Sequence, residues 1–220
     1  MKKLTAISVI TATILTLLGC GGGGNSNDDN SSSTPNSSTN TIEKRQKEWL
    51  KSIPSKELIS FGFMDRDELN QTKLGEPLKV YALLAESVNK YKNDDTLELN
   101  YLDNLKYPII IKRQIRSLLT FSTKTDKVVG LGEAQIANQL NSIENYLGTT
   151  ENLGLVMVFK ESMPLLFVWQ ESSKKLVPLS GARGMLEIDE NLSNRLDFNL
   201  TQMIPILKNY LIKGDSNESN

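Results

Sequence analysis

Two rhythms of apolar spacing organise this chain. Apolar residues return at Ile136, Leu140, Ile143 and Leu147, in steps of four, three and four. That stripe predicts an amphipathic helix over 133–147, with Gly148 placed to cap its end. Leu200, Met203, Ile204, Leu207 and Leu211 predict a second helix over 200–211, with Asn199 as its cap and Pro205 expected to kink or restart it. A shorter helix is expected over 42–53, where Ile42, Trp49, Leu50 and Ile53 stand among charged residues before Pro54, and Trp49 reads as a core or docking aromatic. Elsewhere the apolar residues come in short runs rich in Val, Ile and aromatics, the signature of strands. They fall at 58–63, 78–84, 109–111, 115–121, 127–131, 153–159, 165–170 and 176–179. The charged run Asp65-Arg66-Asp67-Glu68 reads as a turn and 89–96 as a loop.

The strands from Tyr107 to Leu131 are parted only by short polar breaks, as are those from Leu153 to Leu179, so each group reads as an antiparallel meander. One helix lies between the groups and one follows them. The expected fold is therefore α+β, a mostly antiparallel sheet of two meanders with helices packed on one face. No repeat of 20 to 50 residues is visible.

The N-terminal pattern is of another kind. Lys2 and Lys3 precede an apolar run over 4–18 that is short for a membrane span, and Leu17-Leu18-Gly19-Cys20 closes it. This ending resembles the lipobox of bacterial lipoproteins. The resemblance implies that residues 1–19 are a cleaved signal peptide. It also implies that Cys20 takes a diacylglyceryl group and then a palmitate-type acyl chain, and that the mature protein is membrane-anchored in a bacterial cell envelope. Gly21 after Cys20 fits outer-membrane sorting in a Gram-negative cell. Residues 21–40 carry only Gly, Asn, Ser, Asp, Thr and Pro and cannot bury a core. With Cys20 they read as a lipidated tether whose span is on the order of 25 Å. A single domain is expected over 41–213, monomeric, with a frayed tail over 214–220.

Charge and composition then narrow the chemistry. The chain holds 25 Lys and Arg against 26 Asp and Glu. Loss of Lys2 and Lys3 with the signal would leave a formal −3, which disfavours a nucleic-acid partner. There is no His and a single Cys. Ser-His and Cys-His nucleophiles, nitrogen-ligated zinc, iron–sulfur ligation and an internal disulfide are thereby excluded. A metal would need oxygen ligands, and Asp65, Asp67 and Glu68 lack the spacing of a calcium loop, so no metal and no cofactor are expected. Two Ser-x-x-Lys matches, at Ser87 and Ser172, occur as often as chance gives. Gly130-Leu131-Gly132 reads as a tight strand-to-helix turn, and Ser180-Gly181-Ala182-Arg183-Gly184 as a surface loop.

Loops on a rigid sheet are the usual carriers of recognition. Arg183 and the turn of Asp65, Asp67 and Glu68 are accordingly the candidate partner-binding positions. The functional expectation is a non-catalytic envelope lipoprotein that binds a protein or a cell-wall component. The alternative is a carboxylate-dependent envelope hydrolase, a glycosidase or wall hydrolase, which needs no His.

Overall fold

Alternation along the strands explains why the sheet is buried on both sides. The structure, a computed structural model, describes residues 36–92, 96–147, 152–160 and 163–212. The expectations for the signal, Cys20, residues 21–35, Gly148 and the tail lie outside these residues. In chain order the elements are α1 (Asn36–Ser52), a 3₁₀ segment (Ser55–Phe61), α2 (Arg66–Leu69), β1 (Lys73–Leu74), β2 (Leu78–Leu83), α3 (Ala85–Lys90) and β3 (Asn100–Ile111). Then follow β4 (Gln114–Ser122), β5 (Lys127–Gly132), α4 (Ala134–Leu147), β6 (Leu153–Lys160), β7 (Met163–Gln170), β8 (Lys175–Pro178), α5 (Ser180–Met185), α6 (Glu190–Ser193) and α7 (Leu200–Ile212). The fold is α+β, with one eight-stranded, mostly antiparallel sheet in the order β5-β4-β3-β2-β6-β7-β8 and β1 paired to β3.

Strand β2 joins the two sides of this sheet. It pairs antiparallel with β3 and parallel with β6, Lys79 facing Gly154 and Tyr81 facing Val156. A parallel neighbour needs a long crossover, and the chain supplies one through β3, β4, β5 and α4. Between β3 and β4 the turn is only Lys112-Arg113, both left-handed at φ 49 and 68, the hand a two-residue hairpin requires.

The expected single helical face is corrected by β3 and β4. Tyr107, Ile109, Ile111, Leu119 and Phe121 share one face and bury against Ile42 and Leu50 of α1, Ile53 just after it and Leu58 of the 3₁₀ segment. On the other face Leu118 and Ile115 meet Ala137, Leu140 and Ile143 of α4. Both alternating sets of β3 are apolar, so both must be covered. Asn141 fastens α4 to the sheet edge, its amide giving and taking bonds of 2.9 and 2.8 Å with the backbone of Ile115.

Several local expectations also change. Residues 58–63 form no strand: Pro54 starts a 3₁₀ segment, and Gly62, at φ +90, ends it. A Cβ on Gly62 would stand 2.0 Å from the carbonyl oxygen of Arg116, so only glycine fits there. Trp49 is 39 % exposed while the next residue, Leu50, is buried. Gly130-Leu131-Gly132 belongs to β5, paired with Thr120, Leu119 and Leu118. Glu133 is not helical but left-handed at φ 60, and its carboxylate pairs with Lys106 at 2.5 Å. Residues 85–90 and 180–185 are short helices. α7 runs without a break through Pro205, which lies on its exposed side, and Asn199 caps it by accepting from Gln202 N at 3.1 Å.

Candidate ligand-binding site

Period-two alternation in β2 points Leu78, Val80 and Ala82 toward one face and Lys79, Tyr81 and Leu83 toward the other. On the second face Lys79, Gly154 and Trp169 lie side by side across β2, β6 and β7, and Tyr81, Val156 and Phe167 form the adjacent row. Gly154 leaves a gap between Lys79 and Trp169. The ring of Tyr81 leans into it, so that a Cβ on Gly154 would meet Tyr81 Cε2 at 2.9 Å. The result is a hollow of about 450 Å³. Tyr81 and Trp169 form its aromatic part. Glu76, Lys79, Asn152 and Glu171 supply the polar part.

Its charged groups are available to a ligand. Glu76, Lys79 and Glu171 are exposed and have no ion-pair partner among the described residues. Tyr101 packs edge-on to Tyr81, ring centres 5.9 Å apart. Burial, then the negative charge of Glu171, then Tyr101 push the Tyr81 phenol above its ordinary range. Tyr107 is raised by burial, then Tyr101, then Glu76. Both phenols therefore stay protonated well past neutral pH, and Tyr81 presents an O–H donor.

Of the other hollows, one of about 350 Å³ lies along α1 between Glu43, Lys44, Lys47, Glu48 and Lys51, and two are mostly apolar. The first of these two, of about 390 Å³, lies on the opposite face, walled by Leu78, Ile110, Ile115, Leu140 and Leu153, with Arg113 and Glu144 also on its lining. The second, of about 550 Å³, runs between α4 and α5 beside Ile136, Leu165, Leu179 and Met185. Such walls offer shape but little orientation. Convergent polar groups are what fix a ligand's pose, and the hollow at Gly154 has the larger share of them.

The positions singled out in the sequence do not line this hollow. Asp65 caps α2, accepting from Glu68 N at 3.0 Å. Glu68 accepts from Met64 N at 2.7 Å and pairs with Arg116 at 3.5 Å, while Arg116 Nε donates to Gly62 O at 3.0 Å. The acidic turn is thus a helix start fastened to β4, with Asp65 and Asp67 its exposed acidic members. Arg183 is half-buried, donates from Nε to Pro178 O at 3.0 Å and stands over the Phe198 ring at 5.4 Å. It is held at β8, so the structure does not bring the two candidates together. Ser87 is buried on α3, and no hydrogen bond between Ser87 and Lys90 is found among the described residues. No group of three or more His, Cys, Asp and Glu among the described residues could hold a metal. The missed signal was Gly154, an isolated glycine inside a strand, which marks close approach of another group.

Comparison with protein-family models, curated proteins and solved structures finds no match for the chain.

Proposed function

We propose that this chain is a lipoprotein of the bacterial envelope, anchored through lipid on Cys20, whose domain is a non-catalytic binding module for a protein or a cell-wall component. The observation that carries the binding role is the hollow at Gly154, where the half-buried Tyr81 ring and the largely buried Trp169 meet three exposed charges that have no ion-pair partner among the described residues. Such a set is suited to orienting a ligand. The hydrolase alternative draws no support from it. A carboxylate acid needs a sheltered site to hold its proton near neutral pH, and Glu76 and Glu171 are both exposed. Lipid on Cys20 is supported by the motif Leu17-Leu18-Gly19-Cys20. Asp65 and Asp67 are the exposed members of the loop contacts proposed from the sequence.

A photo-crosslinking side chain placed at Lys79 in cells tests the binding role. An adduct to envelope material is expected at Lys79 and not when Tyr81→Ala is added. Adducts at Asp67 or Arg183 alone would move the binding surface to the loops. Metabolic labelling with a palmitate analogue tests the anchor, and label retained by Cys20→Ser would remove Cys20 as the acceptor.

A further inference from the structure

We infer that the hollow at Gly154 takes a neutral, hydroxyl-rich glycan, a pyranose ring lying against Tyr81 beside the largely buried Trp169. This rests on the binding-module reading and names its ligand class. The first step is the pairing of surfaces. A pyranose has a C–H face that packs on an aromatic ring and a rim of hydroxyls that both donate and accept. The hollow offers the same two surfaces. The half-buried Tyr81 ring leans into the space above Gly154 and supplies the apolar surface, with Trp169, 9 % exposed, beside it. Around it stand donors, Lys79 and the Asn152 amide, and acceptors, Glu76, Glu171 and the Asn152 carbonyl.

Other ligand classes fit worse. A phosphate or carboxylate would face two carboxylates against one ammonium. An aliphatic chain would strip water from three charges, which costs several kcal/mol unless each is paired, while more apolar hollows are present on the same domain. A peptide adding as a strand needs an open sheet edge. None is available here, because β2, β6 and β7 each have a strand on both sides. At about 450 Å³ the hollow also falls within the small-ligand range.

The test uses the purified full chain carrying Trp49→Phe, so that Trp169, the second of two tryptophans, alone reports by fluorescence. It is titrated with chitotriose and with maltotriose to millimolar concentration. A saturable spectral change with at least one glycan is expected. Lys79→Ala and Glu171→Gln, both at exposed positions, should each weaken binding about tenfold with an unchanged melting temperature, since each removes one charge-assisted hydrogen bond. Tyr81→Ala should weaken it at least as much, and its melt shows whether the variant is folded. Glycan binding that none of the three changes alters would overturn the assignment, because the sugar would then sit elsewhere. If neither glycan binds, while the photo-adduct at Lys79 forms, resists muramidase and yields peptides of a second protein on mass spectrometry, the ligand is a protein and only the glycan assignment falls. If neither glycan binds and no adduct forms, the binding-module reading falls with it.

Discussion

Two hollows share Glu76 and Leu153 yet lie on opposite faces of one sheet. One presents Lys79, Tyr81 and Trp169, the other Leu78, Ile110 and Ile115. The strand register separates them by a single residue, Leu78 against Lys79, so neighbouring side chains enter environments with opposite physics. The aliphatic side is closed by α4 and holds the domain together. The polar side, next to the α1 core, is hollow where Gly154 interrupts the row of side chains and the Tyr81 ring leans into the gap. The same face buries Val156 and Phe167 in the adjacent row, so the site is a local gap in a covered face and needs no dedicated loop.

The largest test of this contrast is Leu140→Asp on the aliphatic side. Leu140 is 3 % exposed, and an unpaired carboxylate there should cost several kcal/mol, comparable with the whole stability of a domain. Loss of the cooperative thermal transition is expected. A folded variant with a normal melt would show that α4 does not seal this face.

Gly154→Val addresses the polar side. Its side chain would displace the Tyr81 ring and fill the hollow, at a cost of about 1–3 kcal/mol from overpacking. The variant should remain folded with a lowered melting temperature and lose the Trp169 response to ligand. Retained response would mean that the gap at Gly154 is not where the ligand sits.

The smaller core under α1 can be improved. Gln46 is 2 % exposed, and its Nε2 finds no hydrogen-bond partner. An orphaned buried donor is destabilising, so Gln46→Met, similar in length and without the amide, should raise stability by about 1 kcal/mol. A denaturant midpoint at or below that of the parent would show that the amide is satisfied in solution.

The smallest effect concerns Lys175 and Asp197, paired at 3.0 Å beside Tyr146. The hydrogen bond from Lys175 holds the Asp197 carboxyl below its ordinary range, and the same bond raises Lys175. A lowered acid stabilises the fold above the unfolded-state value and loses that contribution as pH falls through the folded one. A raised base does so below its unfolded-state value and loses it as pH rises through the folded one. Asp197→Asn should therefore flatten the fall in melting temperature below about pH 4 and leave ligand binding at Lys79 unchanged. An identical pH profile would show that solvent screens the pair completely.

The stripe of Ile136, Leu140, Ile143 and Leu147 and the cap at Asn199 were legible because they depend on neighbours three or four residues away. The hairpin from β3 to β5 was legible for the same reason, its breaks at Lys112 and at Thr123 being local. Residues 58–63 were misread because an apolar run of that length suits a strand or a tight helix equally. The choice was made by the close approach of Gly62 to Arg116, 54 residues away. The acidic turn was visible as a cluster of charge, but its use in capping and in the pair from Glu68 to Arg116 was not. None of the site residues at the Gly154 hollow was singled out, since Lys79, Gly154 and Trp169 become neighbours only through strand pairing.

The sequence by itself determined the α+β composition, the principal helices, most strand positions and the absence of histidine chemistry, all of which follow from local spacing and residue type. Only the tertiary structure decided that β2 runs parallel to β6, that helices cover both faces, and that the Tyr81 ring leans into a glycine gap between Lys79 and Trp169. Those outcomes depend on which strands pair and in what register. Pairing is settled by burying both apolar faces of β3 at once, a condition on the whole chain that no single stretch of it states.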